Sequence, residues 1–599
     1  MKQKTNIYAL GFGVIAALAP ISHPAISAPN AKPNIVILLA DDWAFSDVGA
    51  FGGEIETPNI DALAMRGVRF SNFHVAASCS PTRAMLQTGV SSHRAGLGNM
   101  PETIPPEHLG QEGYDAVLNN RVVTIAQQLR AGGYRTYLTG KWHLGKTLDK
   151  LPTSRGYDHA FSLSQSGADN FEDKPNLLLY EDADWTEDGR PATLPANYYS
   201  SSFIVDKMIE YIEHDKQSGK PFLASINFLA NHIPVQALNS DIAHYTDKYN
   251  QGWEALRLSR QKNIVAKGLT PPNRPMAKIA STAAWDSLSE REKRQRAGAM
   301  AVYAGMATAM DREVGRLVAH LKTNGQYENT IFVFLSDNGP EATDPMHTNH
   351  FTTFNANLNY DQSTERQGRK GSLTAIGASF ASALAAPFRG YKFSASEGGI
   401  RVPLVISWPG NPHISAGAIE HGFAYVTDIT PTLLDMAGVG AQQGSFEGKT
   451  AEPISGRSLV PMLLGQRETV RANDEAIGYE LSGNSVLFEG DWKLVKNLPP
   501  YGNGNWQLYN LKDDPGEVND LSGSEPQRVA SMLVKYQAFA IAEKVLPMPQ
   551  GYSAPKQIEA NAIHDLLIPR LIKYLPYLLA FLALLLAAGF GVRRLFKRK

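Results

Sequence analysis

Short apolar runs punctuate the chain, at residues 34–40, 221–228, 330–335 and 402–407, and a short, more polar strand reads at 134–139. The runs are nearly continuous and do not alternate strictly between apolar and polar positions. A strand buried on both faces reads this way, so the runs predict the core of a mostly parallel sheet. Stretches between them carry helix signals. One helix opens at Thr57-Pro58 and ends near Gly67; a second spans about residues 122–129 and stops at Gly132-Gly133. A long helix runs over residues 290–321, and another opens at Thr430-Pro431 and ends near Gly438. Residues 240–290 are polar and contain prolines, which predicts a surface excursion; residues 352–385 read as an irregular flank. From about Ala472 the pattern shortens. Strands at 476–479, 485–488, 492–495 and 507–509 precede a helix at 527–542, which predicts a small antiparallel sheet with one helix.

The two ends differ from this middle. Lys2 and Lys4 precede an apolar run over residues 7–19, followed by Ala25, Ser27 and Ala28. That is the pattern of a signal peptide over residues 1–28, the run being too short for an anchor. Residues 574–592 carry no charge, and Arg593, Arg594, Lys597, Arg598 and Lys599 follow. The uncharged length suits a bilayer crossing, and the basic tail belongs in the cytoplasm, which leaves the rest of the chain outside.

Bulk composition removes some classes of function. Lys plus Arg is 57 and Asp plus Glu is 58, a net charge of −1, without the basic excess of a nucleic-acid partner. The chain has a single cysteine, Cys79, so an internal disulfide framework is impossible.

Candidate chemistry collects at strand ends. The run at 34–40 stops in Asp41-Asp42, and that at 330–335 stops in Ser336-Asp337-Asn338. Ligands of parallel α/β sheets sit at the carboxyl ends of strands, where these side chains could meet. Four oxygen donors without a Cys or His cluster point to a hard cation, Ca2+ first and Mg2+ as the alternative. Lys141 and His143 lie two apart, so in an extended segment both face one side and could meet one anion. Asn231-His232-Ile233-Pro234 follows the run at 221–228. Cys79 lies in Ser78-Cys79-Ser80-Pro81-Thr82-Arg83, with a cation near and a helix start at hand, both of which favour anionic chemistry.

Cys79-x-Pro81-x-Arg83 resembles the sulfatase signature, in which the cysteine is oxidised after synthesis to Cα-formylglycine. Gly140-Lys141-Trp142-His143-Leu144-Gly145 is similar to the second signature of that family. The His232-x-Pro234 block and the block from Arg389 to Arg401 also match, and the likeness extends from about Asn34 to about Leu546, nearest to bacterial arylsulfatases. The resemblance implies an α/β fold of the alkaline-phosphatase-like type: a large mixed, mostly parallel sheet flanked by helices, with the small C-terminal sheet appended. It implies a sulfuric ester hydrolase acting on a small-molecule sulfate ester, aryl, sugar or steroid, and an external maturation enzyme for residue 79. It places a divalent cation, usually calcium, on Asp41, Asp42, Asp337, Asn338 and formylglycine 79. Hydrated formylglycine is the nucleophile, with Arg83 and His143 holding it and Asp337 activating it. Lys141 and Lys392 meet the sulfate, His232 helps protonate the leaving oxygen, and His143 is the base for sulfate release. The alternatives are a formylglycine-dependent phosphonate monoester or phosphodiester hydrolase and, more remotely, a non-catalytic surface-binding protein on the same scaffold. The expected organisation is a signal peptide at 1–28, a catalytic α/β domain at 33–470, a C-terminal α+β subdomain at 471–546, a membrane-proximal linker at 547–573, a transmembrane helix at 574–592 and a cytoplasmic tail at 593–599.

Overall fold

Strand β1 (Asn34–Ala40) sends Val36, Leu38 and Ala40 into one apolar core and Ile35, Ile37 and Leu39 into another. With both faces covered it has no polar side, which is why it reads as a continuous run. The computed structural model describes residues 32–176, 179–279, 283–345 and 350–596; the expected signal peptide and the last three residues of the basic tail lie outside the described residues.

The main sheet contains β1, β2 (Val68–Phe70), β3 (Arg135–Lys141), β4 (His159–Leu163), β5 (Trp185–Glu187), β6 (Arg190–Pro191), β7 (Phe222–Asn227), β8 (Thr330–Ser336), β9 (Leu404–Ser407) and β10 (Ile419–Glu420). Their order across the sheet is β10-β2-β9-β8-β1-β7-β3-β4-β5-β6. The centre, β8 to β4, is parallel, while β9 and β5 pair antiparallel at either side. The sheet is thus mixed and mostly parallel at its core, as the apolar runs predict. Register sets the site: Ala40 lies opposite Ser336 and Leu39 opposite Asn227, so the loops after β1, β7 and β8 leave the same edge.

The helices used below are α1 (Pro58–Arg66), α2 (Cys79–Thr88), α3 (Ser200–Asp215), α4 (Gly252–Ala266), α5 (Glu290–Thr323), α6 (His350–Asn359), α7 (Gly377–Leu384), α8 (Pro526–Ala542), α9 (Ala554–Ala562) and α10 (Ile568–Phe596). Met208 of α3 and Met300, Met306 and Met310 of α5 fill the core that faces Val36 and Leu38. Met85 and Leu86 of α2 fill the other.

Two expectations need correction. Residues 240–290 are not merely a surface excursion, because α4 buries Trp253, Arg257 and Arg260. Arg260 sits between Asp47 and Glu54 at 2.6 and 2.8 Å, and Arg257 donates to the carbonyls of Ala277 and Phe388. Guanidinium groups whose three nitrogens all donate can be buried, which a polarity pattern does not show. Residues 352–385 are not irregular throughout: α6 covers their start and α7 their end, with irregular chain between.

The C-terminal strands β11 (Ala476–Leu481), β12 (Asn484–Glu489), β13 (Trp492–Lys496) and β14 (Trp506–Asn510) form one antiparallel sheet. Val486, Phe488, Val495 and Tyr509 join the main core, while Leu487, Leu494 and Leu508 pack on Met532 and Tyr536 of α8. Beyond it, α9 passes through a π turn (Ile563–Leu567) into α10. Residues Ala554–Ala588 form one helix long and apolar enough to cross a membrane, with no part of its most apolar window buried.

Candidate active site

The end of β1 dictates the centre of the site. Asp41 and Asp42 follow Ala40 directly and are wholly buried. Asp42 has φ 63°, a left-handed conformation that turns the chain sharply. Asp337 and Asn338 leave the neighbouring strand β8 at the matching position, also fully buried. Asn338 Nδ2 donates to Asp42 Oδ1 at 2.6 Å, and the Asp42 amide donates to Asp337 Oδ1 at 3.3 Å.

Cys79 is the first residue of α2, which points its amino end at these carboxylates. Its Sγ lies 3.5 Å from Asp41 Oδ1. Thr82 Oγ1, one turn into the helix, accepts the Ala76 amide at 2.9 Å, and the Tyr479 hydroxyl accepts the Ala77 amide at 2.7 Å. The entry to α2 is therefore tied from both sides. Arg83, four residues after Cys79, donates from Nε and Nη2 to Asp337 Oδ2 at 2.9 and 2.7 Å and from Nη1 to the Lys141 carbonyl at 2.9 Å.

Lys141 ends β3, with its ammonium 2.5 Å from Asp41 Oδ2. One residue earlier, Gly140 has φ 97°, and a Cβ there would lie 1.9 Å from the Asn227 carbonyl, so only glycine lets β3 approach β7 this closely. His143 does not continue the strand. Its φ is 57°, so the alternation expected from spacing is broken. Lys141 and His143 therefore meet different carboxylates, since His143 Nε2 lies 3.2 Å from Glu102 Oε1. Glu102 also accepts the hydroxyl of Tyr180. A carboxylate on Nε2–H fixes the tautomer, and it leaves Nδ1, which is buried and unpaired among the described residues, as the basic nitrogen.

His232 follows β7. Its Nδ1 lies 2.7 Å from the Ile233 carbonyl, and its Nε2 faces Asp42 Oδ2 at 3.9 Å. Gly167 lies against the ring, where a Cβ would come within 2.7 Å of Nδ1. Lys392 completes the ring of charge, 2.7 Å from Asp42 Oδ1 and 3.1 Å from Glu341 Oε2. Every residue the sequence assigns to the site is thus in this buried cluster. Glu102, Tyr180, Glu341 and Gly167 were not anticipated. Glu341 follows the Asp337 block closely enough to have been considered, but Glu102 and Tyr180 lie in polar stretches with no local pattern.

Electrostatics marks the cluster as incomplete. Arg83, Lys141 and Lys392 face the carboxylates of Asp41, Asp42, Asp337 and Glu341. Burial and the nearby Asp337 push Asp41 up, and burial pushes Asp42 up to about 7 against the opposing pull of Lys392. Asp337 stays below the usual carboxylate range because Arg83, Lys141 and Lys392 outweigh its burial. Burial and the Lys392 and Lys141 charges hold His232 neutral, and burial likewise lowers His143 despite Glu102. Burial and Asp337 push the Cys79 thiol far up, so as an unmodified thiol it is a poor nucleophile. Asp42 Oδ2 and Asn338 Oδ1 are buried without a hydrogen-bond partner among the described residues. Oxygens of Asp41, Asp42 and Asp337 and Cys79 Sγ all lie within 4.8 Å of one another. Buried carboxylates short of counter-charge, with orphaned oxygens converging, are the donor set of a hard divalent cation.

A family model described as Sulfatase matches residues 33–439. The chain belongs to the sulfatase family. A second model, described as N-sulphoglucosamine sulphohydrolase, C-terminal, matches residues 392–538 of this sulfatase. An uncharacterized sulfatase of Schizosaccharomyces pombe is 34% identical over 540 residues, covering 88% of this chain and 97% of that one. An arylsulfatase of Klebsiella aerogenes is 34% identical over 460 residues, covering 76% of this chain and 96% of its own. Among solved structures, Ps i-CgsB in complex with k-i-k-neocarrahexaose superposes with a TM-score of 0.62 over 89% of this chain and 98% of that one; at 23% identity this is a likeness of fold. The sulfatase is a sulfuric ester hydrolase.

Proposed function

We propose that the sulfatase cleaves a small aryl-type sulfate ester with residue 79 as formylglycine and one divalent cation, Ca2+ first, on Asp41, Asp42, Asp337 and Asn338. The observation that carries this reading is the convergence of Cys79 with the orphaned oxygens of Asp42 and Asn338 under three cationic side chains. The 34% identity to an arylsulfatase supports the aryl class. Residue 79 as hydrated formylglycine would supply a hydroxyl nucleophile toward sulfur, with the alcohol leaving as its S–O bond breaks, and a second hydroxyl whose deprotonation would release sulfate and restore the aldehyde. Held by Asp41, Asp42, Asp337 and Asn338, the cation would supply Lewis acidity.

The chain's own groups do the rest. Arg83 holds Asp337 ionised, so its carboxylate accepts the proton of the attacking hydroxyl. Lys141, paired with Asp41, and Lys392, paired with Asp42, offset charge on sulfate oxygens. Lys392, kept protonated by burial-strengthened contact with Asp42 and Glu341, is the donor available to the leaving oxygen; neutral His232 accompanies it. His143, oriented by Glu102, has Nδ1 free to take the second proton. The reading includes the expected organisation, with a cleaved signal peptide, an external catalytic domain and the 574–592 segment as anchor. Support for the anchor is α10, whose Leu571, Ile572, Leu578, Phe581 and Leu585 are exposed and call for an apolar solvent.

The test is paired turnover of an aryl sulfate and a phosphonate monoester by protein matured in its host, with Cys79→Ala beside it. Sulfate preference abolished by Cys79→Ala is expected. Phosphonate preference, or full turnover by Cys79→Ala, would overturn the reading.

A further inference from the structure

The turn Pro101–Thr103 connects the active site to the helix that leads to the membrane. On its inner side Glu102 accepts from His143 and Tyr180, and Met100, just before the turn, takes the hydroxyl of Ser78 on its sulfur at 3.2 Å, next to Cys79. On its outer side, successive carbonyls are held from the membrane-proximal segment. Asn561 Nδ2 donates to the carbonyls of Glu102 and Ile104 at 3.1 and 3.0 Å, and the Tyr552 hydroxyl donates to that of Thr103 at 2.8 Å. The same segment is fixed nearby: His108 Nε2 lies 3.1 Å from the Pro547 carbonyl, and the Leu546 amide donates to the Tyr114 hydroxyl at 3.0 Å. Asn561 belongs to α9, which continues through the π turn into α10 without a break.

A three-residue 3-10 turn has little rigidity of its own. Its other ties are mostly local, from Thr103 back to Met100 and from Ile104 to Pro101, with Ser482 Oγ donating to Thr103 Oγ1 at 3.2 Å. An asparagine amide that bridges two carbonyls clamps such a turn against both shift and rotation. We propose that Asn561 and Tyr552 are positioning residues for His143, acting through the Pro101–Thr103 turn and Glu102, so that the membrane-proximal helix is part of the active-site scaffold. The proposal rests on the reading of His143 as the base of sulfate release. It deepens that reading by making turnover depend on a segment that would otherwise be only a tether.

The experiment uses the full-length, matured protein in detergent and an aryl sulfate. Asn561→Asp keeps the shape but cannot donate, and Tyr552→Phe removes only the hydroxyl. The pair is expected to lower kcat about tenfold with KM within about twofold, short of the about hundredfold that a 1 Å misplacement can cost. Glu102→Gln is expected to lower kcat similarly, and adding it to the pair should cause little further loss. Asn561→Gln, which keeps a donor amide, should recover part of kcat. An unchanged kcat in the pair, a loss confined to KM, or losses that multiply with Glu102→Gln would overturn the proposal. Either single variant carries the same test if the pair does not fold. His143→Ala separates the two readings: if it retains full kcat, the role of His143 fails, whereas normal turnover in the Asn561 and Tyr552 variants beside a crippled His143→Ala sinks the positioning proposal alone.

Discussion

Asp311 should make the stability of α1 depend on pH in the direction opposite to an ordinary carboxylate. Helix α1 has no cap of its own, because the Thr57 hydroxyl is engaged by the Gly49 amide and Asp61 at 2.8 and 3.1 Å. Its open amides at Asn59 and Ile60 go instead to Asp311 of α5, at 3.1 and 2.8 Å, with Asn59 Nδ2 at 2.8 Å. Asp311 is 1% exposed, and burial pushes its pKa from 3.8 up to about 6 against these donors. Below pH 3.8 the group is protonated whether α1 is closed or open; above about 6 it is ionised in both, and the closed state bears the burial. The contribution to stability is therefore largest in acid and falls as pH rises through that window. Integrated between about pH 4.5 and about pH 7.5, the loss is about 2 kcal/mol. Asp311→Asn cannot titrate and keeps one carbonyl acceptor. It should weaken α1 at both pH values by leaving an amide unmet, at about 1–3 kcal/mol. Relative to the wild type, however, it should recover about 2 kcal/mol, about thirtyfold in protection, on going to the higher pH. Amide exchange of a peptide covering 57–66, measured in the full chain and compared at each pH, reads this directly. A variant-to-wild-type ratio that is the same at both pH values would refute the reasoning.

Gly167→Ala should drive a methyl against His232 and lower kcat about tenfold or more while the unfolding temperature moves little, since the displaced group is a ring and not the backbone. Chelation should abolish turnover, and Ca2+ at about a hundred times its Kd should add about 2.7 kcal/mol of stability; Asn338→Ala should blunt both effects, and a chelated protein of unchanged activity would count against the cation. Tyr479→Phe strips the acceptor from the Ala77 amide in the entry to α2 and should cost about 1–3 kcal/mol in urea unfolding, with wild-type stability the contrary result.

Sequence alone determined the elements whose cause is local. Strands buried on both faces must be largely apolar, so β1, β7, β8 and β9 were readable from composition, and the C-terminal strands and α8 from their alternation and turns. Parallel sheets gather polar groups at the carboxyl ends of their strands, so the meeting of Asp41, Asp42, Asp337 and Asn338 was readable too, and the motif resemblance pointed to Cys79, Arg83, Lys141, His143, His232 and Lys392. Only the tertiary structure decided which charges meet. His143 turns to Glu102 instead of joining Lys141 because its backbone is left-handed, a property no spacing displays. Asp311 caps a helix whose own Thr57 is occupied, and buried Arg257 and Arg260 turn an apparently solvated stretch into core. Each of these depends on a partner far away in sequence. A local pattern records what a residue can bond, whereas the partner it does bond is set by which chain segments the packed sheet brings within hydrogen-bond reach.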